Sequence, residues 1–268
     1  MLKILLPLLC LFALTASAQR PETINGEALH FQLKSKKDTI DFIVVDTTIN
    51  QKKPVFLFCQ GSLPIPLFFH SAQYGTYMIG GGVSNFDLAE IRKHYHLVII
   101  SMPKTPVVVD EKNLDQSYAF IPDTANKRQY SMAYLKADYL ENYQKRAEKV
   151  LKFLRKQDWV DNSKLVVAGH SQGAKVAVEI ALKNKHVTHL GLFGANPFGR
   201  IDQFVRKARK DVEQGKISWA QADQEMESNY NYYREIFNTP AEDDPSVKTW
   251  KSFSTPRIDD WLKINIPM

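Results

Sequence analysis

Ser171 stands between two glycines in "AGHSQGA", directly after the apolar run "KLVV" and directly before "QGAKVAVEIALKN". A serine at a tight strand-to-helix turn presents its hydroxyl for attack on an acyl carbon. Gly169 and Gly173 remove side chains where such a turn is crowded. Ala174 and Ala177 let the helix lie close to the sheet. The helix N-terminus also carries positive partial charge, which favours a developing oxyanion. The competing reading is a small-residue packing turn with an inert serine.

Acyl transfer needs two N–H groups aimed at the oxyanion, one of them from the residue after the nucleophile. Here that residue is Gln172. The loop after an earlier strand supplies the other, and "FLFCQGSLPIP" is placed to do so. Gly61 allows a tight backbone, and the amide of Ser62 then faces the site. The alternative is a plain strand end. No metal and no cofactor enter this chemistry.

"GHSQG" after one strand, with "CQGS" ending another over a hundred residues earlier, resembles the alpha/beta-hydrolase superfamily. The resemblance runs from about residue 27 to the last residue. It implies an α/β fold with an eight-stranded, mostly parallel sheet and helices on both faces. It implies Ser171 as nucleophile, Ser62 and Gln172 as the oxyanion hole, and a helical cap over roughly 197–260. It also implies that acid and histidine follow the serine in the chain.

That last implication is unmet. The histidines are His30, His70, His94, His96, His170, His186 and His189, and none lies beyond 189. His70 sits on the right side of an early strand but breaks the family order. Asp259 and Asp260 are the late acids, within "RIDDWLKINI", which reads as a helix entering a strand at "INIPM". The reading is a hydrolase domain without its acid, its histidine and its last two strands, as an incomplete fragment, a premature stop or a genuine short form. "HLGLFG" is then expected to be an exposed apolar edge. Hydrolases lacking one triad member retain roughly 10³- to 10⁴-fold catalysis over water, and no more is expected here.

The elements that must position these residues are legible as periods. "ALHFQLK" and "TIDFIVVD" alternate and predict an antiparallel pair; "KPVFLFCQG", "HLVIISMP", "KLVVAG" and "HLGLFG" predict buried strands. The stretch 62–85 reads as a loop. Ser84 and Asp87 stand at capping-box spacing before "FDLAEIRKHY". One long helix is predicted from about Met132 to Gln157, another from Gln172 to about Asn184, and charged helices over 200–240.

The chain has 268 residues, 44% hydrophobic and 24% charged, which suits a single globular domain over 19–268. Residues 1–18 read as a secretory signal, with Lys3, an apolar core and "ASA" before Gln19. Export to the periplasm or beyond is expected, with no stable membrane span after cleavage. The net charge of +6 is scattered. Even "RKARKDVEQGK" reads as a solvated helix face, so no nucleic-acid partner is expected. Cys59 is left single and reads as a small buried hydrophobe. The function these residues support is a serine hydrolase acting on a carboxylic ester or related acyl substrate. A serine peptidase, or a non-catalytic binding protein on the same fold, are the alternatives.

Overall fold

The computed structural model describes residues 21–268, apart from 35–37, 48, 126–128 and 242–243; the expected signal segment lies outside them. The opening strands β1 (Glu22–Ile24), β2 (Ala28–Lys34) and β3 (Thr39–Val44) pair antiparallel in sequence; β2–β3 is the predicted pair, and its register runs from Leu29 opposite Val44 to Lys34 opposite Thr39. Then come β4 (Lys53–Cys59), a small sheet of β5 (Phe68–Ser71), β6 (Gly75–Met78) and later β8 (Val108–Asp110), helix α1 (Leu88–His94) and β7 (His96–Ile100). Helices α2 (Met132–Ala137) and α3 (Leu140–Leu154) precede β9 (Val160–His170), α4 (Gln172–Lys183) and β10 (His189–Phe193). The chain closes with α5 (Arg200–Glu213), α6 (Trp219–Asn238), α7 (Pro245–Ser254) and the single turn α8 (Ile258–Trp261).

The main sheet has the order β1-β2-β3-β7-β4-β9-β10. Strands β7, β4, β9 and β10 are mutually parallel and β3 meets β7 antiparallel. The described sheet has seven strands; the resemblance implies eight for the complete fold, with the last two expected to be absent from this chain. Alternate residues of the central strands enter separate cores, which is why these strands read as unbroken apolar runs. Leu57, Val98 and Val167 join Val150, Leu151, Ala177 and Ile180 of α3 and α4 on one face. Phe58, Leu97, Ile99 and Ala168 join Val83 on the other, with Leu88 and Ile91 of α1 packed against them.

Four expectations change. The predicted helix over 132–157 is two helices, broken at Asp138 (φ −83°, ψ 75°) and Tyr139. The break is stabilised from α7, whose Thr249 hydroxyl donates to the Asp138 carbonyl and whose Ser252 hydroxyl accepts from the Leu140 amide. The predicted loop 62–85 contains β5 and β6, held partly by a parallel partner, β8, some forty residues later. Helix α1 is capped by Asp87, whose carboxylate accepts from the Glu90 amide, and not three residues earlier. Finally, "INIPM" forms no strand. The Leu190 amide on the β10 edge donates to the Pro267 carbonyl, and Ile264 and Ile266 pack on the core, so this edge is partly covered. Proline has no N–H to return, which limits the pairing to a single bond there.

Candidate active site

Ser171 has φ 55° and ψ −116°, a left-handed backbone that side chains other than glycine rarely adopt. The turn is held on both sides: the Ser171 amide donates to the Phe193 carbonyl at 2.8 Å, and its carbonyl accepts from the Ala174 amide at 3.1 Å. The flanking glycines are sterically obligatory. A Cβ at Gly169 would lie 2.1 Å from the Gly173 carbonyl oxygen, and one at Gly173 would lie 2.1 Å from the Cys59 carbonyl oxygen. The helix thus starts directly against the end of β4.

The strand register brings the second half of the site alongside. Cys59 pairs with Gly169 in parallel strands, so both chains leave the sheet at the same end. A Cβ built on Gly61 would come within 3.9 Å of Ser171 Cβ. Ser62 is exposed and lines one cleft of about 260 Å³ together with Ser171 and Gln172. The six residues singled out in the sequence, Gly61, Ser62, Gly169, Ser171, Gln172 and Gly173, are therefore brought together.

No imidazole joins them. Among the described residues none hydrogen-bonds to the Ser171 hydroxyl. His30 meets Asp41 at 2.9 Å, His70 meets the Thr76 hydroxyl at 3.1 Å in the small sheet, and His94 meets Glu90 on α1. His96 is buried at the opposite end of the sheet, accepted by the Gln51 and Trp159 carbonyls. His189 contacts Thr188, and His186 lies in the turn before β10. His170 is next to Ser171, but its ring lies beside the Gly61 and Gly194 backbones.

The cleft holds groups that sequence reasoning missed. Lys175, one helical turn after Ser171, is buried and donates to the Phe253 carbonyl of α7. Burial, with the nearby Arg200 and Arg257 charges, pushes its pKa down to about 8. Arg200 donates to Gln172 Oε1 at 3.1 Å and lies over the Trp250 ring, 4.9 Å from its centroid. Gln172 Nε2 donates in turn to Asp138 Oδ1 at 3.2 Å, which also accepts from the Tyr143 hydroxyl at 2.7 Å. Burial raises the Asp138 pKa above the ordinary carboxylate value, more than these hydrogen bonds and the Arg200 charge lower it. A side-chain relay thus fixes the residue that follows the serine. The signal in the sequence was a lysine and a glutamate in the otherwise apolar "GAKVAVEIAL"; the glutamate, Glu179, is buried and paired with Arg257 at 2.7 Å.

Cys59 packs against the core, and burial pushes its thiol up to about 12. It is not a nucleophile at neutral pH. No described helix is long and apolar enough to cross a membrane.

No family model and no curated protein matches the chain. Solved structures that resemble it include a peptidase, an alpha/beta hydrolase and an acetyl xylan esterase. The acylaminoacyl peptidase of Pyrococcus horikoshii aligns at 16% identity and TM-score 0.37, over 64% of this chain and 23% of that one. MGS-M2, an alpha/beta hydrolase from a Medee basin deep-sea metagenome library, aligns at 14% and 0.43, over 88% and 76%. Acetyl xylan esterase 1 of Thermoanaerobacterium sp. aligns at 12% and 0.40, over 88% and 66%. The chain spans under a quarter of the peptidase's length.

Proposed function

We propose that this chain is an exported serine hydrolase that cleaves a carboxylic ester through an acyl-enzyme on Ser171. The observation that carries the reading is the left-handed Ser171 at a glycine-flanked turn, with the Gly61–Ser62 backbone against it. In this reading Ser171 Oγ attacks the carbonyl carbon. The Ser62 and Gln172 amides donate to the oxyanion, the alcohol leaves, and water cleaves the acyl-serine. Helices α5 to α7, within 197–260, form the cap: Arg200, Phe204, Trp250 and Phe253 line the same cleft as the serine.

An ester fits better than a peptide. An amide needs its leaving nitrogen protonated, and among the described residues no imidazole is hydrogen-bonded at Ser171 to do it. An activated ester's leaving group departs as an anion without that help. The same observation favours one further reading, a binding protein that kept the fold without turnover.

A fluorophosphonate probe separates the two. The hydrolase reading expects labelling of the wild-type chain and none of Ser171→Ala. A folded wild-type protein that stays unlabelled over hours assigns the chain to the binding class.

A further inference from the structure

Among the described residues, the cleft at Ser171 is lined by two cations, Lys175 and Arg200, and by no carboxylate. Elsewhere among the described residues, the buried Arg146 and the half-buried Arg257 are directly paired. Arg146 contacts Asp38, and Arg257 contacts Glu179 at 2.7 Å. The two cleft cations differ. Among the described residues neither makes a salt bridge. Lys175 is held only by the Phe253 carbonyl, and the other charges acting on it, Arg200 and Arg257, repel it. Arg200 gives one nitrogen to Gln172, and no other hydrogen bond of its side chain is found among the described residues. The nearest carboxylate acting on it, Asp138, is reached through Gln172 and is itself held towards its neutral form by burial.

An ammonium that is only 8% exposed and lacks a counter-ion is costly to fold around. The cost is recovered when a ligand brings the missing negative charge. The remaining wall is mixed, with Asn196 and Gln203 beside Phe204, Trp250 and Phe253. The Arg200 guanidinium lies 4.9 Å from the Trp250 ring centroid and gives one nitrogen to Gln172. A volume of about 260 Å³ suits a molecule of metabolite size rather than a polymer segment.

We propose that this cleft selects an acyl substrate carrying an anionic group close to the scissile carbonyl, with Lys175 and Arg200 as its counter-ions. The carboxylate of a dicarboxylic acid half-ester and the phosphonate or phosphate of an acyl ester share this chemistry. The position of the ester rests on the Ser171 reading above; the anion preference does not depend on turnover.

The test is equilibrium binding to the Ser171→Ala protein, which removes hydrolysis. Three probes share one skeleton: monomethyl succinate, methyl 3-phosphonopropionate, and the neutral isostere methyl levulinate. At least one anion is expected to bind about tenfold or more tightly than levulinate, and the stronger anion identifies the source. The preference is expected to fall to near unity in Lys175→Met and in Arg200→Gln. Arg200→Lys, which keeps the charge, retains it and serves as the folding control alongside thermal midpoints. Equal affinities for all three probes, no measurable anion binding, or a preference untouched by both charge removals would each overturn the proposal. Fluorophosphonate labelling is read separately. Labelling without anion preference leaves the hydrolase and removes this inference, whereas preference without labelling keeps the anion site in a non-catalytic protein.

Discussion

Ser171 and Lys175 sit one helical turn apart, and each costs the fold something that the cleft puts to use. The left-handed backbone at Ser171 carries strain on the order of 1–3 kcal/mol. Ser171→Gly is therefore expected to raise stability by about 1 kcal/mol in chemical denaturation, while abolishing probe labelling. Lys175 is a buried base whose folded pKa, about 8, lies below its ordinary 10.5. Below pH 8 the ammonium is charged in both states and its burial costs about 3 kcal/mol. Between pH 8 and 10.5 the unfolded chain binds more protons than the folded one, so stability from this group rises with pH. Lys175→Met removes that rise and is expected to stabilise the protein at pH 7 by about 2 kcal/mol, after allowing for an unpaired Phe253 carbonyl. Denaturation curves at pH 7, 8.5 and 10 check both parts; a lower stability at pH 7 with an unchanged slope would refute the assignment of an unpaired buried cation.

At the scale of elements, the site depends on how closely α4 meets β4. Gly173 touches the Cys59 and Gln60 carbonyls, backbone atoms that cannot rotate aside. Gly173→Ala is expected to cost more than about 3 kcal/mol, since it forces helix and strand apart. Gly215, with open space around its missing Cβ but a φ of +67°, supplies the contrast: Gly215→Ala is expected to cost only about 1 kcal/mol. Thermal unfolding of the two variants side by side tests whether close approach, rather than glycine loss as such, sets the penalty. The break between α2 and α3 matters in the same way. It delivers the Asp138 carboxylate to Gln172, and α7 holds the break open with Thr249 and Ser252.

Across the whole molecule, the ion pair of Arg146 with Asp38 ties α3 to the residue before β3. Arg146 is 3% exposed and also donates to the Ser101 carbonyl at 3.1 Å, joining a third segment. Burial alone would raise the Asp38 pKa, but hydrogen bonds and charge from Lys104 and Arg146 outweigh it and hold the carboxyl below its ordinary value. A depressed carboxylate contributes stability that is present above pH 4 and lost as pH falls through its folded value. Asp38→Leu is expected to cost about 3 kcal/mol, because it leaves Arg146 charged and unpaired. Asp38→Leu with Arg146→Met is expected to recover most of that loss. Urea midpoints at pH 7 for the three proteins decide it; a double variant no better than the single one would mean the pair is not coupled.

What the sequence determined by itself is the set of features encoded within a few neighbouring residues. The turn at Ser171 is legible because glycines at both flanks answer to local crowding, and β4, β7, β9 and β10 are legible because a strand buried on both faces must be apolar without interruption. The helix predicted over 132–157 is two for the same reason: its period is helical throughout, and the forces that break it come from α7, over a hundred residues away. Only tertiary structure decided the charge of the cleft. Lys175 meets a carbonyl 78 residues on, and Arg200 reaches back 28 residues to Gln172. A charged side chain is ordinary in a sequence; whether it ends paired, solvated or alone depends on which distant segments close around it, and that is set by the packing of the whole chain.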